Sequence, residues 1–350
     1  MGNHYPVVVQ SMTNTGTNDV DATVEQCIRI AKAGGKLIRI TVQNMQEVES
    51  LRKIREQLLQ LGYDFPLVAD VHFNPRIAEE TAKIVEKVRI NPGNYTDKKL
   101  PEGYSFTDED YRNVLKRIHE NLKPLLTICK EYGTALRVGV NHGSLSDRIM
   151  HRYGNTPEGM AESAMDFIRI CSEEGFSKLV ISMKASNTKI MVYATRLLME
   201  KMEYEVLQYP VHLGVTEAGA GVEGRIRSAV GVAALLQERI GDTIRVSLTE
   251  DPEEEIPVAK EIATYFSRKK DKYPDLEPGH KKITSYTRRE TTPLLNTGGS
   301  NPPVVVAGLE VFGKDPCVMN PKSKQIPDFL FSEVLPGPAS RIPGISYLSL

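Results

Sequence analysis

The sequence predicts an α/β fold, a (β/α)₈ TIM barrel followed by a proline-rich and incomplete second domain. Before about residue 265, eight short β-branched runs alternate with stretches whose apolar residues recur every three or four positions. Glycine follows the last turn of several of these stretches, as it does at helix C-termini. Eight strand–helix units in about 260 residues are expected to close into a barrel. An open doubly wound sheet is the alternative, but the usual Gly-x-Gly-x-x-Gly turn after its first strand is missing.

The predicted strands are the β-branched runs, and the predicted helices lie between them. Four of the intervening stretches read VEQCIRIAKAGG, VESLRKIREQLLQLG, ESAMDFIRICSEEG and RIRSAVGVAALLQERIG. Their apolar residues fall on one face of a helix. The eight predicted strands are Val7–Met12, Leu37–Val42, Leu67–Phe73, Val88–Asn91, Leu136–Asn141, Leu179–Ser186, Val211–Glu217 and Ile244–Thr249.

The composition changes after Thr264. The last 85 residues carry 11 of the 21 prolines, which predicts short regular elements because proline fixes φ and lacks a backbone donor. One strand is predicted in PPVVVAGLEVF. We therefore divide the chain into a barrel at 1–265 and, at 266–350, a linker with the start of a second domain. A disordered linker is the alternative for this second part.

Charge and composition exclude several classes of protein. The formal net charge of −1 argues against a nucleic-acid-binding role. No apolar run approaches the roughly 18 residues needed to span a membrane, and the N-terminus lacks a signal-peptide pattern. The four cysteines are far apart and form no C-x-x-C, so Cys27, Cys129 and Cys171 are predicted to be buried, inert thiols. A cytoplasmic location is expected, or the plastid stroma if the source is a plant.

Polar residues recur within the strands at positions that share one face. Because the apolar residues between them must face the helices, the polar set is predicted to point into the barrel, whose interior is ordinarily apolar. Asp70 and His72 share this face in the third strand. The predicted inward cations are Arg39, Arg89, Arg137, Lys184 and Arg245. The neutral polar residues in phase with such positions include Asn91, Asn141, Ser182 and Ser247.

Five inward cations predict an anionic ligand. Burying one unpaired charge costs several kcal/mol, and only Asp70 and Glu217 are evident as inward acids. Glu217 needs a bulge or kink near Gly214 to face inward. The surplus predicts a ligand with a charge of roughly −2 or more, for which phosphate or diphosphate is the natural choice. The alternative is that these cations reach the barrel rim or pair with loop carboxylates.

Loops at the predicted strand ends favour the same site. A glycine-rich turn, TEAGAGVEGRIRSAV, runs into a helix predicted to begin near Gly224, and its backbone N–H groups could approach an anion. NHGSLSDRI is a second, weaker candidate loop. His72 and His142 are candidates for a proton donor or a positioning residue, and the positioning role is the more typical one. The histidines predicted to lie on the surface are His4, His119, His151 and His280.

Several segments together resemble one family. The segments are VVVQSMTNTGT, LVADVHFNP, KVRINPGN, LRVGVNHGSLSDRI, YGNTPEGM, ISMKASN and HLGVTEAGAG. In this order they resemble the hydroxymethylbutenyl diphosphate synthases of the methylerythritol phosphate pathway, across nearly the whole predicted barrel. YTRRETTPLLNTGGSNPPVVV is similar to the inserted domain of the longer, plant-like form of this family.

The resemblance implies an iron–sulfur oxidoreductase. Its substrate would be 2-C-methyl-D-erythritol 2,4-cyclodiphosphate, reductively opened to (E)-4-hydroxy-3-methylbut-2-enyl diphosphate in isoprenoid biosynthesis. The five cations, with the asparagines and serines in phase with them, match the family's diphosphate site. Asp70 and His72 match its Asp-x-His motif, and Glu217 matches its acid/base carboxylate.

The resemblance also implies partners that this chain does not carry by itself. The family uses a [4Fe–4S] cluster held by three cysteines and a glutamate on a C-terminal domain, and this sequence has no such motif. We therefore expect this chain alone to bind substrate but to be inactive. Ferredoxin or flavodoxin is the expected electron donor, and a homodimer is possible. Two alternatives remain: a pterin-binding transferase barrel, and a non-catalytic phosphate-binding barrel.

Overall fold

The computed structural model divides the chain into two compact units, Met1–Lys282 and Ile283–Leu350. The residues it describes are 2, 5–95, 106–268, 290–294, 297–301, 304–308, 328–331 and 346–348. The domain boundary predicted after residue 265 stays a prediction, because 269–289 lie outside the described residues.

Eight parallel strands form the sheet of the first unit. They are β1 (Val8–Met12), β2 (Leu37–Val42), β3 (Leu67–Val71), β4 (Lys87–Ile90), β5 (Ala135–Asn141), β6 (Leu179–Lys184), β7 (His212–Leu213) and β8 (Thr243–Ile244). The hydrogen-bonded order is β6-β5-β4-β3-β2-β1-β8-β7. A parallel bridge between Ile181 and Val211 joins β6 to the start of β7 and closes the ring. The predicted (β/α)₈ barrel is confirmed.

Ten helices connect or follow the strands in the described part of the first unit. They are α1 (Val20–Ala33), α2 (Met45–Gln60), α3 (Pro75–Ala82), α4 (Pro92–Tyr95), α5 (Asp108–Tyr132), α6 (Asp147–Tyr153), α7 (Pro157–Glu173), α8 (Thr188–Tyr204), α9 (Gly221–Leu236) and α10 (Glu255–Arg268). A 3₁₀ turn, Pro252–Glu254, precedes α10. None of the described helices is long and apolar enough to cross a membrane.

The helix ends follow from their capping residues. Thr107 and Asp110 form a reciprocal capping box at the start of α5, which satisfies backbone donors that have no partner inside the helix. Gly34 ends α1 and Gly133 ends α5 in left-handed conformations, with φ of 103° and 73°. These caps fix where each helix returns the chain to the next strand.

The hydrophobic core of this unit lies between the sheet and the surrounding helices. Alternate strand residues such as Ile38, Ile40, Val138 and Ile181 are fully buried within it. Because neighbouring strand residues point to opposite faces, the remaining strand residues line the interior of the barrel. The strand pattern thus separates an apolar layer outside the ring from a polar one inside.

The last two strands are shorter than predicted. The predicted run 211–217 contains a two-residue strand, His212–Leu213, and the run 244–249 overlaps the two-residue strand Thr243–Ile244 only at Ile244. Beyond β7 the chain leaves extended geometry, because Glu217 and Gly219 have φ of 51° and 103°. A backbone hydrogen bond still joins the two segments beyond the paired residues: the N–H of Arg245 donates to the carbonyl of Leu213 at 3.0 Å.

The second unit contains a small parallel sheet. Its order is β11-β10-β9, formed by β9 (Val306–Gly308), β10 (Phe329–Phe331) and β11 (Ser346–Leu348). The strand predicted in PPVVVAGLEVF is confirmed by β9. Phe329 and Leu330 of β10 are buried. Each described strand has three residues, in keeping with the proline content of this part of the sequence.

Candidate active site

The structure places all five sequence-predicted cations inside the barrel. Arg89 and Arg137 are only 3% and 1% exposed, and Arg39 and Lys184 are also buried. Arg245 is nearly buried, and its Nη1 lies 3.6 Å from the sulfur of Met12 on the neighbouring β1. The barrel therefore has an interior lined by cations, in place of the usual layers of branched apolar side chains.

Asp70 organises one side of this interior. Its carboxylate accepts from Arg89 Nη1 at 2.9 Å and lies 3.4 Å from both Arg39 Nε and His72 Nε2. Arg89 also donates from Nη2 to the carbonyl of Gly139 at 2.9 Å. Burial alone would raise the pKa of Asp70, but the charges of Arg89 and Arg39 and the contact with His72 hold it well below its usual range. Asp70 is therefore a carboxylate at neutral pH.

The second inward acid is Glu255 rather than Glu217. Glu255 is 1% exposed and binds Arg245 through both oxygens, at 2.8 and 3.0 Å. Its Oε2 also accepts from the hydroxyl of Ser11 at 2.7 Å. Glu217 lies on the loop after β7, exposed, with a left-handed backbone. The prediction that Glu217 points into the barrel is therefore wrong, because the chain leaves the strand before residue 217.

Arg245 shows that one alternative interpretation holds in part. One alternative to a bound anion was that the inward cations pair with carboxylates beyond the strands. Arg245 does so, because its partner Glu255 is the first residue of α10. Sequence reasoning missed this residue because it lies outside every predicted strand. Its signal was the acidic run DPEEE directly after the eighth strand.

The opposite side of the interior has cations without acids. Within the described residues, no ion pair joins Arg137 or Lys184 to a carboxylate, and Arg137 Nε and Nη1 have no hydrogen-bond partner. Burial lowers the pKa of Lys184 well below its usual range, and Arg39 and Arg137 lower it further. Burial and the charges of Arg39 and Arg89 likewise lower the pKa of Arg137 well below its usual range. Both side chains would be stabilised by a negative ligand.

Three further polar residues inside the barrel were not predicted. Lys87 begins β4 one residue before the predicted strand, and its Nζ is buried without a partner among the described residues. Gln10 on β1 and His212 on β7 are also buried, with unpartnered side-chain atoms. Their signal was the same two-residue phase, in Lys87 with Arg89 and in Gln10 with Met12.

Two glycines make room for the cations. A Cβ on Gly139 would lie 2.5 Å from Arg89 Nε, and one on Gly214 would lie 2.5 Å from the carbonyl oxygen of Arg245 and 3.4 Å from Lys184 Nζ. Since real Cβ atoms do not approach so closely, these positions on β5 and after β7 must lack a side chain. The glycines therefore maintain the space in which the arginine and lysine side chains lie.

The neutral polar residues lie around these cations. Ser182 is fully buried, and its hydroxyl has no partner among the described residues. Asn91 is 2% exposed and accepts from the backbone N–H of Gly93 at 3.1 Å. Asn141 ends β5, and Ser247 lies just beyond β8; both are half-buried. They can supply hydrogen bonds to an oxygen-rich ligand at the carboxyl end of the strands.

The glycine-rich loop after β7 is already tied to a carboxylate. The N–H of Gly221, at the start of α9, donates to Glu250 Oε1 at 2.8 Å, and Arg225 binds both oxygens of the same group at 2.6 and 2.5 Å. The N–H of Gly221 is therefore satisfied within the protein, and an anionic ligand at this loop stays a prediction. Glu250 takes that position, because a carboxylate from the next loop satisfies the free N–H group.

Four of the histidines considered in the sequence lie among the described residues, and they have different surroundings. His72 lies beside Asp70 and is about one-third exposed, at 32% of its side chain. His142 Nε2 lies 3.2 Å from the carbonyl oxygen of Asn155. His151 is exposed, and His119 pairs with Glu174 at 2.7 Å. His4 and His280 lie outside the described residues.

The described residues contain no arrangement that fits an iron–sulfur cluster. Cys27, Cys129 and Cys171 are free and buried, as predicted, and burial raises the pKa of each thiol to about 12. A cluster needs thiolates, which these environments disfavour. Within the described ranges no three His, Cys, Asp or Glu side chains come together as metal ligands. Cys317 lies outside those ranges.

The chain is similar to one family of proteins over most of its length. A family model described as the GcpE TIM-barrel domain matches residues 1–260. The 4-hydroxy-3-methylbut-2-en-1-yl diphosphate synthase (flavodoxin) of Bacteroides fragilis is 49% identical over 352 residues, which cover 99% of this chain and 55% of that protein. The chloroplastic ferredoxin-type synthase of Arabidopsis thaliana is 48% identical over 264 residues, covering 75% of this chain and 36% of that protein.

The relatives are longer proteins. The corresponding flavodoxin-type synthase of Parabacteroides distasonis is 52% identical over 311 residues, which are 88% of this chain and 51% of that protein. The chain thus spans about half the length of the curated relatives it matches. Among solved structures, a dihydropteroate synthase of Yersinia pestis gives a TM-score of 0.48 at 15% identity, covering 75% of this chain and 95% of that one. A likeness at that level does not bear on function.

Proposed function

This chain belongs to the family of GcpE TIM-barrel domains, and we propose that its barrel binds 2-C-methyl-D-erythritol 2,4-cyclodiphosphate. In the longer protein, this binding would serve the reductive conversion of that compound to (E)-4-hydroxy-3-methylbut-2-enyl diphosphate. The observation that carries the proposal is the buried excess of positive charge. Among the described residues, with all side chains ionised, six inward cations, including Lys87, face two carboxylates, Asp70 and Glu255.

A cyclic diphosphate complements this excess in the sign of its charge and in its hydrogen-bond acceptors. Its two phosphates bring two negative charges and several acceptor oxygens, whereas guanidinium and ammonium groups are donors only. Arg137, Lys184 and the hydroxyl of Ser182 would contact the diphosphate directly, since they have no ion pair or hydrogen bond with other described side chains. The remaining members of the proposed site are Arg39, Arg89, Asn91, Asn141, Arg245 and Ser247.

The carboxylates of the site have different proposed roles. Asp70 positions Arg89, Arg39 and His72, because its lowered pKa keeps it ionised and unsuited to donate a proton. His72 would donate a hydrogen bond to the substrate from the rim of the barrel. Glu217 is the proposed acid/base group: it is exposed on the loop after β7, where a carboxylate can exchange protons with solvent and with a bound substrate.

The reducing equivalents would come from outside the described barrel. Its three buried thiols do not fit a cluster, so the [4Fe–4S] cluster expected from the family would be held by another part of the longer protein. Such a cluster supplies electrons when bound. The donor would be flavodoxin or ferredoxin, after the names of the relatives. The barrel supplies binding, orientation and charge compensation.

Ligand binding to the 350-residue chain tests the proposal. Titration with the cyclodiphosphate should raise the thermal unfolding midpoint progressively, because a ligand that binds only the native state adds about 2.7 kcal/mol at one hundred times its Kd. Lys184→Met should reduce the shift strongly. Lys83→Met is the matched control, since Lys83 lies on the surface beside Glu80. Absence of a shift at millimolar ligand, or an equal shift with an unphosphorylated dihydropterin, would contradict the proposal.

A further inference from the structure

Lys87 is a buried lysine to which the proposed binding site assigns no individual role. It is the first residue of β4, points into the barrel in phase with Arg89, and is 3% exposed. Its Nζ has no hydrogen-bond partner among the described residues. An ammonium group in such a place would have three unsatisfied donors as well as an uncompensated charge.

The carboxylates inside the barrel are committed to other cations. Asp70 binds Arg89 at 2.9 Å and contacts Arg39 and His72 at 3.4 Å. Glu255 binds Arg245 with both oxygens and accepts from Ser11. In the described part of the chain, no ion pair connects either acid to Lys87. The described residues therefore offer this lysine no counter-charge.

The neighbouring charged groups all oppose a positive charge on Lys87. Burial lowers the pKa of Lys87, and the charges of Arg137 on β5 and Arg39 on β2 lower it further, to about 7. On the side of β7 lies His212, whose Nδ1 is 2.7 Å from the hydroxyl of Thr243 and whose own pKa is lowered well below its usual value by burial and by Arg137, Lys184, Lys87 and Arg39. His212 is therefore neutral and adds no charge to the surroundings of Lys87.

We propose that Lys87 is uncharged in the ligand-free protein at mildly alkaline pH and takes up a proton from solvent when a diphosphate binds in the barrel. The step is Lys87–NH₂ + H⁺ → Lys87–NH₃⁺, with the proton supplied by the buffer. The two negative charges of the ligand reduce the positive potential around Lys87, which favours the charged lysine. Lys87 becomes positively charged only when the bound ligand carries enough negative charge. It therefore favours the binding of a diphosphate over that of a singly charged ligand. This inference rests on the proposed function.

The ligand itself does not obscure the measurement. In a cyclodiphosphate each phosphorus carries one ionisable oxygen, because the other positions are used by the ring. The ionisation near pH 6 belongs to phosphate monoesters, which the ring lacks. Proton uptake above pH 7 must therefore arise from the protein, with the amine of Lys184 as the other candidate acceptor.

Calorimetry at pH 8 in Tris and in HEPES measures the proton uptake. The wild-type chain should take up about one proton more per cyclodiphosphate than Lys87→Met, and its affinity should fall about tenfold more per pH unit between pH 8 and 9. Lys83→Met should behave as wild type. Equal uptake in wild type and Lys87→Met overturns the inference while leaving the proposed function intact. Binding heat in none of the proteins counts against the proposed function instead.

Wild-type protein alone provides a second measurement that does not depend on a folded variant. In spectra of protein labelled at the lysine ε-carbons, one signal should titrate near neutral pH without ligand. At pH 8 the same signal should move to the charged position when cyclodiphosphate is added. A ligand-free protein whose lysine signals all remain at the charged position at pH 8 overturns the inference.

Discussion

The two sides of the barrel interior bury their cations equally well but pair them differently. On β2 to β4, Arg39 and Arg89 share the carboxylate of Asp70. On β5 and β6, Arg137 and Lys184 are as deeply buried and have no ion pair within the described ranges. Burial alone therefore does not distinguish a structural cation from a binding one. The difference lies in whether the protein supplies the counter-charge.

The paired side is a fixed frame and the unpaired side is the part that responds to a ligand. Asp70 orients its arginines before any ligand arrives, which reduces the entropy lost on binding. Arg137 and Lys184 instead have no counter-charge among the described residues, and a bound anion would stabilise their charged forms. The barrel would thus convert an energetic cost in the free protein into affinity for a diphosphate.

Removing the shared carboxylate should have the largest effect. Asp70→Asn leaves Arg39 and Arg89 buried without a counter-charge, so we expect a loss of about 3–5 kcal/mol in the free energy of unfolding. Urea denaturation measures it. Glu80→Gln, which removes the exposed partner of Lys83, is the control and should cost less than about 0.5 kcal/mol. A loss below about 1 kcal/mol for Asp70→Asn would mean that both sides of the interior are equivalent.

Removing an unpaired cation should have a smaller effect of opposite sign. Arg137→Met replaces a buried guanidinium by an apolar side chain that can fill much of the same space, so we expect the ligand-free chain to gain roughly 1–4 kcal/mol. The same variant should bind the cyclodiphosphate more weakly. Urea denaturation with and without ligand separates the two effects. A destabilised ligand-free variant would show that Arg137 has a structural role like that of Arg89.

The paired and unpaired cations alike could be predicted from alternation along the strands. Residues two apart share a face, so Arg89 and Arg137 were assigned to the interior once their apolar neighbours were assigned to the core. The barrel itself followed from eight repeats of strand and helix. These features are local in the sequence, which is why the sequence alone was sufficient.

The pairing itself could not be predicted in full. Glu255 reaches the interior from the start of α10, after a turn that no strand pattern describes. Glu217 fails to reach it because its left-handed backbone takes it out of the strand. Lys87 was missed because the predicted strand began one residue late. Each error concerns a strand end, where loop geometry rather than side-chain alternation sets the direction of a side chain.

The smallest effect is expected at the rim, where Glu250 and Arg225 repeat the bidentate geometry of Glu255 and Arg245. The rim pair is partly exposed, at 33% and 28% of the two side chains, so solvent screens its charges. Glu250→Gln should therefore lower the thermal midpoint by at most about 2 °C at pH 6. The hydrogen bonds from Arg225 and Gly221 lower the pKa of Glu250 to about 2, so the contribution is complete above the ordinary glutamate pKa near 4.5 and fades as the pH falls toward 2.

Comparing the midpoints of wild type and Glu250→Gln from pH 6 down to pH 2.5 tests this expectation. The difference should shrink as the wild-type carboxylate gains its proton. Glu255→Gln provides the buried counterpart of the same geometry, and it should be far more damaging at pH 6 because Arg245 and Ser11 lose their partner inside the barrel. Equal effects of the two substitutions would show that depth of burial does not set the strength of these ion pairs. The predicted difference between the buried Glu255 pair and the Glu250 pair at the rim would then be wrong.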